Sequence, residues 1–529
     1  WLGSELSFHP TSERLEAAAR ALAADTPITR TAELYQGIDY QPLNPGRSTG
    51  ILRFRSAREV DGGYTPYREI VVLDTVPNDI SIVAGLITAE FQTPLAHINV
   101  LSANRGTPNM ALRGALEDAR LRQLEGHWVE LTVGSSEWQL QEISAEAAEA
   151  WWAEQAPEPI VVQPMDLSVQ ELSATSTLLD PSEPRLGAAI RHAIPAFGAK
   201  ATNFAALTVA QAAGAFAALP TLDQPGPIAP AFGVPMYYYD QFMRDNALYE
   251  RLEQLMLSPA WLEPEQRGEA LLLFQHELRQ APVRAELVDA VVARAAQLFP
   301  GENLRFRSST NSEDLGGFTG AGLYDSETGI PGLPSGDKDS VAWAMKKVWA
   351  QVWNPRAVAE REYFSMQHRD VGMALLVHAN FPEEEAQGVA LTNNPFDPSG
   401  LEPAFFVNGQ LGNVDVVSPD PGVLPEAYLH YFNSPGQPIV YTQRSSLLAA
   451  GESVLSPQQT YRLGIALDAI HRYFFSAYGA AGWYALEVDW KFDDKRVRGE
   501  PSLFIKQVRP YPRSRFESAG QCQPTAPAP

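Results

Sequence analysis

Two stretches of this chain carry residue types and spacings suited to holding phosphate and a divalent cation. The first is Leu304-Arg-Phe-Arg307-Ser308-Ser309-Thr-Asn-Ser-Glu313-Asp314-Leu-Gly-Gly-Phe-Thr-Gly320-Ala-Gly322. A strand-like run ends in a cation and two hydroxyls, and a glycine-rich loop follows. The planar fork of Arg307 suits phosphate oxygens, and Ser308 and Ser309 add short donors. Gly316, Gly317, Gly320 and Gly322 let backbone amides approach and cover phosphates. A tight surface hairpin with an Arg–Glu pair would use the same residues, and composition leaves the two readings even. The second stretch is Ala485-Leu-Glu487-Val-Asp489-Trp-Lys, then Leu503-Phe-Ile-Lys-Gln507-Val-Arg509-Pro510. Strand alternation puts Glu487 and Asp489 on one face, and Gln507 and Arg509 on one face of the next strand. Two carboxylates opposite an amide and a guanidinium suit Mg²⁺ and a triphosphate together. The plain alternative is an exposed hairpin with cross-strand charge pairs.

Two further positions add cations or a nucleophile. In Ile194-Pro-Ala-Phe-Gly198-Ala-Lys200-Ala-Thr-Asn-Phe-Ala-Ala-Leu207, a glycine turn opens a helix and Lys200 projects from its first turn, where a phosphate would sit. Many helices begin this way, so the pattern alone is weak. In Leu95-Ala-His97-Ile-Asn-Val-Leu-Ser-Ala-Asn-Arg105-Gly106-Thr-Pro108, a short helix is expected from His97 to Arg105, with Gly106 as its stop. An imidazole at a helix N-terminus has a lowered pKa, and its neutral form is a nucleophile toward phosphorus. A merely capping or exposed histidine is the ordinary reading of that local pattern.

The elements that must position these groups are spread over 529 residues, enough for three or four units. Apolar residues make up 45% and charged residues 19%, so the chain is globular. The 40 Lys and Arg against 63 Asp and Glu give a net charge of −23, which argues against nucleic-acid and anionic-membrane partners. Such an acidic chain must concentrate its few cations wherever it handles phosphate. The single cysteine, Cys522, excludes a disulfide framework, a cysteine zinc site and an iron–sulfur centre. No apolar run approaches the roughly 18–20 residues of a membrane span. The start at Trp1 suggests a processed chain or a fragment, and leaves the compartment open between cytoplasmic and exported.

Texture divides the chain into an N-terminal helical segment (1–37), a compact α/β unit (38–142), a helix and linker (143–184), a long α+β unit of two lobes (185–513) and a disordered tail (514–529). Short β-like runs fill the second of these, among them Gly50-Ile-Leu-Arg-Phe, Glu69-Ile-Val-Val-Leu, Ile80-Ser-Ile-Val-Ala and Trp128-Val-Glu-Leu-Thr-Val.

These motifs resemble a known family. The segment around His97, Gly106 and Pro108 resembles the swivelling phosphohistidine domain of phosphoenolpyruvate-utilising enzymes. Leu95-Ala96 stand where that motif has Thr-Ser. Gly198 and Lys200, the Arg307–Gly322 string and the Glu487/Asp489 and Gln507/Arg509 strands resemble the nucleotide-binding domain of pyruvate phosphate dikinase and phosphoenolpyruvate synthase. Asn413 replaces a glutamate of the family's pattern. The order, histidine domain first, is similar to that of glucan water dikinases.

The resemblance implies a multidomain α/β and α+β protein. Its swivelling β/β/α phosphohistidine domain would be followed by a two-lobed ATP-grasp nucleotide-binding domain. Lys200, Arg307, Ser308, Ser309, Gly320, Gly322, Gln507 and Arg509 would hold ATP, Glu487 and Asp489 would hold Mg²⁺, and His97, Arg307 and Arg509 would act in catalysis. The base would lie near Leu375–His378. The implied activity passes the ATP β-phosphate through a histidine to an unknown small-molecule or glycan acceptor. The alternative is a nucleotide-binding sensor or scaffold without turnover.

Overall fold

The computed structural model describes residues 39–511 except 61–64, 78–79, 92–97, 99–101, 103–104, 156–158, 314–322, 382–383, 396, 398–399, 413–422, 450 and 480–482. The expected N-terminal helix and C-terminal tail lie outside the described residues, as do His97, Gly320, Gly322 and Asn413. Among the described residues the protein is a mixed α/β chain with three sheets, and it divides into two compact units. One comprises the chain before residue 63 together with Arg68–Glu154, and the other comprises 63–67 and the chain from Gln155 onward.

The first unit is a seven-stranded sheet, with β1 Tyr40–Asn44, β2 Gly46–Arg55, β3 Glu69–Leu73, β4 Gly85–Thr88, β5 Asn109–Leu112, β6 Trp128–Val133 and β7 Trp138–Glu142. The order is β1-β5-β4-β3-β2-β6-β7. β2, β3, β4 and β5 run parallel, and the outer strands pair antiparallel. Central parallel strands are buried on both faces, which explains the unbroken apolar run Ile70-Val-Val-Leu73. The run Ile80–Ala84, which reads as a strand, is not one. Its side chains are buried, with Ile80 and Val83 in the core cluster, and Ala84 bonds the Glu69 carbonyl just before β4 begins. Burial without alternation does not distinguish a strand from a packed loop. Residue 97, outside the described residues, lies in the sequence between β4 and β5, which run parallel. There Gly106 takes φ 69°, and the Ser102 hydroxyl donates to the Ile98 carbonyl. The helix α1 Ala145–Gln155 belongs to this unit, with Arg68 of the same unit pairing Glu149 and lying over Trp152.

The second unit holds two sheets. The four-stranded one has β8 Ala231–Val234, β9 Leu304–Thr310, β10 Glu327–Gly329 and β11 Met373–Ala379, in the order β10-β9-β11-β8. The six-stranded one has β12 Glu384–Leu391, β13 Phe405–Leu411, β14 Glu426–His430, β15 Ile439–Gln443, β16 Leu486–Asp493 and β17 Ser502–Pro510, in the order β15-β14-β13-β12-β16-β17. Alternation along β11 sends Leu375, Val377 and Ala379 into one core and Leu376 into the other. On β9, Leu304 and Phe306 enter the first core, so Arg305 and Arg307 face the opposite way.

Two long helices, α2 Leu186–Ala212 and α3 Pro457–Tyr478, pack against each other in the second core. α3 opens with a capping box, Ser456 and Gln459 bonding each other's backbone N–H. Residues 159–184 form neither helix nor strand, yet they are fixed to this unit. Val162 enters one core, Leu178 and Leu179 the other, and Thr175 and Ser173 bond the backbone of β8. The proline-rich connector is therefore mostly a strap laid on the second unit.

Four histidines of this unit are held neutral, chiefly by burial. His368 is pushed down to about 3 and His430 to about 4, while His378 and His471 are also lowered. In the unfolded chain these imidazoles titrate near 6.5. The unfolded state therefore gains protons first as the pH falls, and their stabilising contribution is complete above about 6.5. Each is expected to remove up to about 1.4 kcal/mol of stability per pH unit below that. Urea midpoints measured from pH 7.5 to 5.0, above the main carboxylate range, should fall steadily. A flat profile would show that these imidazoles open to solvent.

Candidate active site

Lys200, Arg307, Ser308, Glu487, Asp489, Gln507 and Arg509 form three polar groups in the second unit: Lys200 with Ser308 and Glu313, Arg307 with Asp489 and Gln507 between the two sheets, and Arg509 with Glu487 on the six-stranded sheet. Gly198 breaks α2 with φ 73° and ψ 170°, so a second helix starts beside it. Only glycine takes this backbone readily, and a Cβ there would stand 2.2 Å from the Ser309 carbonyl oxygen. The new N-terminus is capped from another element. The Ser309 hydroxyl accepts the Ala201 N–H at 2.9 Å and donates to the Phe197 carbonyl at 2.7 Å. That hydroxyl is thus engaged in joining β9 to α2, and the serine that faces Lys200 is Ser308. Lys200 Nζ donates to Ser308 Oγ at 2.9 Å and pairs with Glu313 Oε1 at 2.7 Å. The other Glu313 oxygen accepts the Thr310 N–H at 2.9 Å.

Arg307 spans the two sheets. Its guanidinium donates to Asp489 Oδ2 at 2.9 Å, Gln507 Oε1 at 2.7 Å and the Lys506 carbonyl at 2.7 Å. On the facing sheet Glu487 lies opposite Arg509 and Asp489 opposite Gln507, the register that alternation requires. Arg509 donates to the Glu487 carboxylate. A bulge between Asp489 and Trp490 leaves Lys506 as the extra residue, since Gln507 pairs Asp489 while Ile505 pairs Trp490. It brings Lys506 and Gln507 to the same side, with Lys506 Nζ 3.5 Å from the Phe381 ring centre and 3.4 Å from His378 Nδ1.

Each of the three phosphate-suited cations is therefore matched to one carboxylate: Lys200 to Glu313, Arg307 to Asp489 and Arg509 to Glu487. This balance bears on what the site can hold. A triphosphate that draws Arg307 and Arg509 away would leave Asp489 and Glu487 without their cations. A divalent ion arriving with the phosphates restores the balance, so the donor set fits Mg²⁺ and triphosphate as a pair. No cluster of three or more acidic or imidazole ligands able to hold a metal exists among the described residues. Two carboxylates sharing a cation with phosphate oxygens is the usual arrangement for Mg²⁺.

Two residues escaped the sequence reading. Glu313 stands inside the motif, but nothing local says that its carboxylate meets a lysine 113 residues earlier. Lys506 carries a signal that was available. Strict alternation from Gln507 would send it into the apolar core, and a lysine at such a position points to a bulge.

Residues 194–425 match the family model for the pyruvate phosphate dikinase AMP/ATP-binding domain. The chain is 26% identical over 202 residues to a probable phosphoenolpyruvate synthase of Methanocaldococcus jannaschii, covering 37% of this chain and 16% of that protein. It is 24% identical over 195 residues to the phosphoenolpyruvate synthase of Escherichia coli, covering 36% of this chain and 24% of that protein. The alignments thus span less than a quarter of either relative's length. No helix among the described residues is long and apolar enough to cross a membrane.

Proposed function

From a chain that carries a pyruvate phosphate dikinase-type AMP/ATP-binding domain, related to phosphoenolpyruvate synthases, we propose an ATP-dependent phosphotransferase of the dikinase kind. The observation that carries this reading is the one-to-one pairing of Lys200, Arg307 and Arg509 with Glu313, Asp489 and Glu487, the Arg307–Asp489 pair crossing from one sheet to the other. The second unit is read as a two-lobed ATP-grasp domain and the first as a swivelling phosphohistidine domain. Lys200, Ser308, Arg307, Gln507 and Arg509 would bind the triphosphate, and Gly320 and Gly322, outside the described residues, would cover it. Ser309 would act by fixing the helix that carries Lys200. Glu487 and Asp489 would hold Mg²⁺, which when bound neutralises charge on the phosphate oxygens.

His97 is the proposed nucleophile. Its ring nitrogen forms a bond to the β-phosphorus, the bond to the α-phosphate breaks, and AMP leaves with the electron pair. Water takes the γ-phosphoryl group as inorganic phosphate, and the phosphohistidine passes its group to an acceptor. The protein's part is positioning and charge stabilisation. Arg307 and Arg509 are suited to it because developing negative charge on the transferring group strengthens their hold.

Leu95-Ala96 in place of Thr-Ser, with Asn413 in place of glutamate, favours a second reading: a nucleotide-binding sensor or scaffold without turnover. Product analysis after incubation with Mg-ATP separates the two. AMP and phosphate in equal amounts are expected. ADP would mean simple kinase chemistry, and unchanged ATP in protein shown to bind it would support the scaffold.

A further inference from the structure

The ends of β12 and β14, the start of β13 and the helix α3 enclose a cavity of about 110 Å³, lined in part by Thr392, Asn393, His430, Asp468 and His471. None of these belongs to the site described above. His430 is buried, with 3% of its surface exposed, and its ring nitrogens take no hydrogen bond among the described residues. Burial pushes its pKa down to about 4, so at neutral pH it offers one donor and one acceptor. His471 Nδ1 lies 2.9 Å from Thr392 Oγ1, and that oxygen already accepts the Leu486 N–H at 2.9 Å. Asp468 supplies a carboxylate, and its partner Arg472 is an exposed side chain outside the cavity lining. Phe405 and Phe432, stacked at 5.7 Å, form an apolar wall.

This lining selects its ligand by exclusion. No lining residue is a cation, so an anion finds no counter-charge in the walls. The imidazoles and carboxylate do not converge as a metal site among the described residues. A purely apolar molecule would leave the buried His430 ring without a partner. A cavity of about 150 Å³ accepts benzene, so this one suits roughly four to six heavy atoms. We infer that the cavity is a binding site for an uncharged three-carbon polyol, its hydroxyls bonded to Asp468, His430 and His471 and its carbon chain lying on Phe405.

The test uses the full chain with ring-¹³C histidine, titrated with glycerol, 1-propanol and glycerate while the His430 and His471 signals are followed. Glycerol is expected to give saturable shifts of both signals, and 1-propanol to bind at least tenfold more weakly. Asp468→Asn, a conservative change on the solvent side of α3, is expected to weaken glycerol at least tenfold while the histidine signals keep their dispersion. Shifts that never saturate, or that are equal in Asp468→Asn, would mean ordered water only. Equal binding of 1-propanol would make the cavity an apolar one, and tighter glycerate an anion site. Each of these three outcomes overturns the assignment.

Discussion

Replacing Arg307 with alanine is expected to weaken Mg-ATP binding by about 1.5–3 kcal/mol, roughly 10- to 150-fold in Kd, the range of a hydrogen bond to a charged group. In the protein the guanidinium already donates to Asp489, Gln507 and the Lys506 carbonyl, so its removal has two effects. A triphosphate held as proposed would lose a charged partner, and Asp489 loses the cation that balances it. Asp489 keeps partial access to water, so the second effect should be felt more in nucleotide binding than in folding. Arg307→Lys should fall between the two, because an ammonium keeps the charge without the fork. Calorimetry on variants with unchanged melting temperature is the measurement. An alanine variant that binds Mg-ATP like the parent would remove Arg307 from the site and leave its contacts as a link between sheets.

Why these contacts could be foreseen, and others not, follows from the range over which each is determined. Glu487 against Arg509 and Asp489 against Gln507 are legible because strand alternation has a period of two and the register is unbroken from Leu486 to Asp489, before the bulge at Trp490. Gly198 was legible as a helix start, since a glycine two residues before a lysine and an apolar face is a local signal. Its real constraint was not, because the atoms that forbid a side chain belong to Ser309, 111 residues later. The same distance hid the use of the Ser309 hydroxyl as a helix cap, which a motif lists as one more phosphate donor. Ile80–Ala84 was misread because buried loop and buried strand share a composition. The prolines of 156–184 read as either a linker or a connector hugging the surface, and the few apolar residues that dock the strap, Val162, Leu178 and Leu179, are too widely spaced to choose between the two. Hydroxyl roles, docking and charge pairing between distant strands are tertiary facts, and sequence spacing does not encode them.

The largest effect is expected at His97. Incubated with β-³²P ATP and Mg²⁺, the protein should acquire bound label, while γ label should end in free phosphate. The linkage should be acid-labile and alkali-stable, because a phosphoramidate loses its phosphoryl group once its nitrogen is protonated. His97→Ala should abolish labelling completely and leave ATP affinity nearly intact. The cations proposed to hold the triphosphate, Lys200, Arg307 and Arg509, all belong to the second unit, and residue 97 belongs to the first. This separation is what makes the experiment decisive, since a variant that lost both binding and label would instead report a folding defect. Leu95-Ala96 supply fewer side-chain donors than Thr-Ser would, so slow labelling is compatible with the proposal. Arg307→Ala at saturating ATP should also label slowly, because it removes charge stabilisation from the transfer itself. Protein that binds Mg-ATP at saturation yet takes up no β label would rule out a carrier histidine and leave the nucleotide site as a sensor.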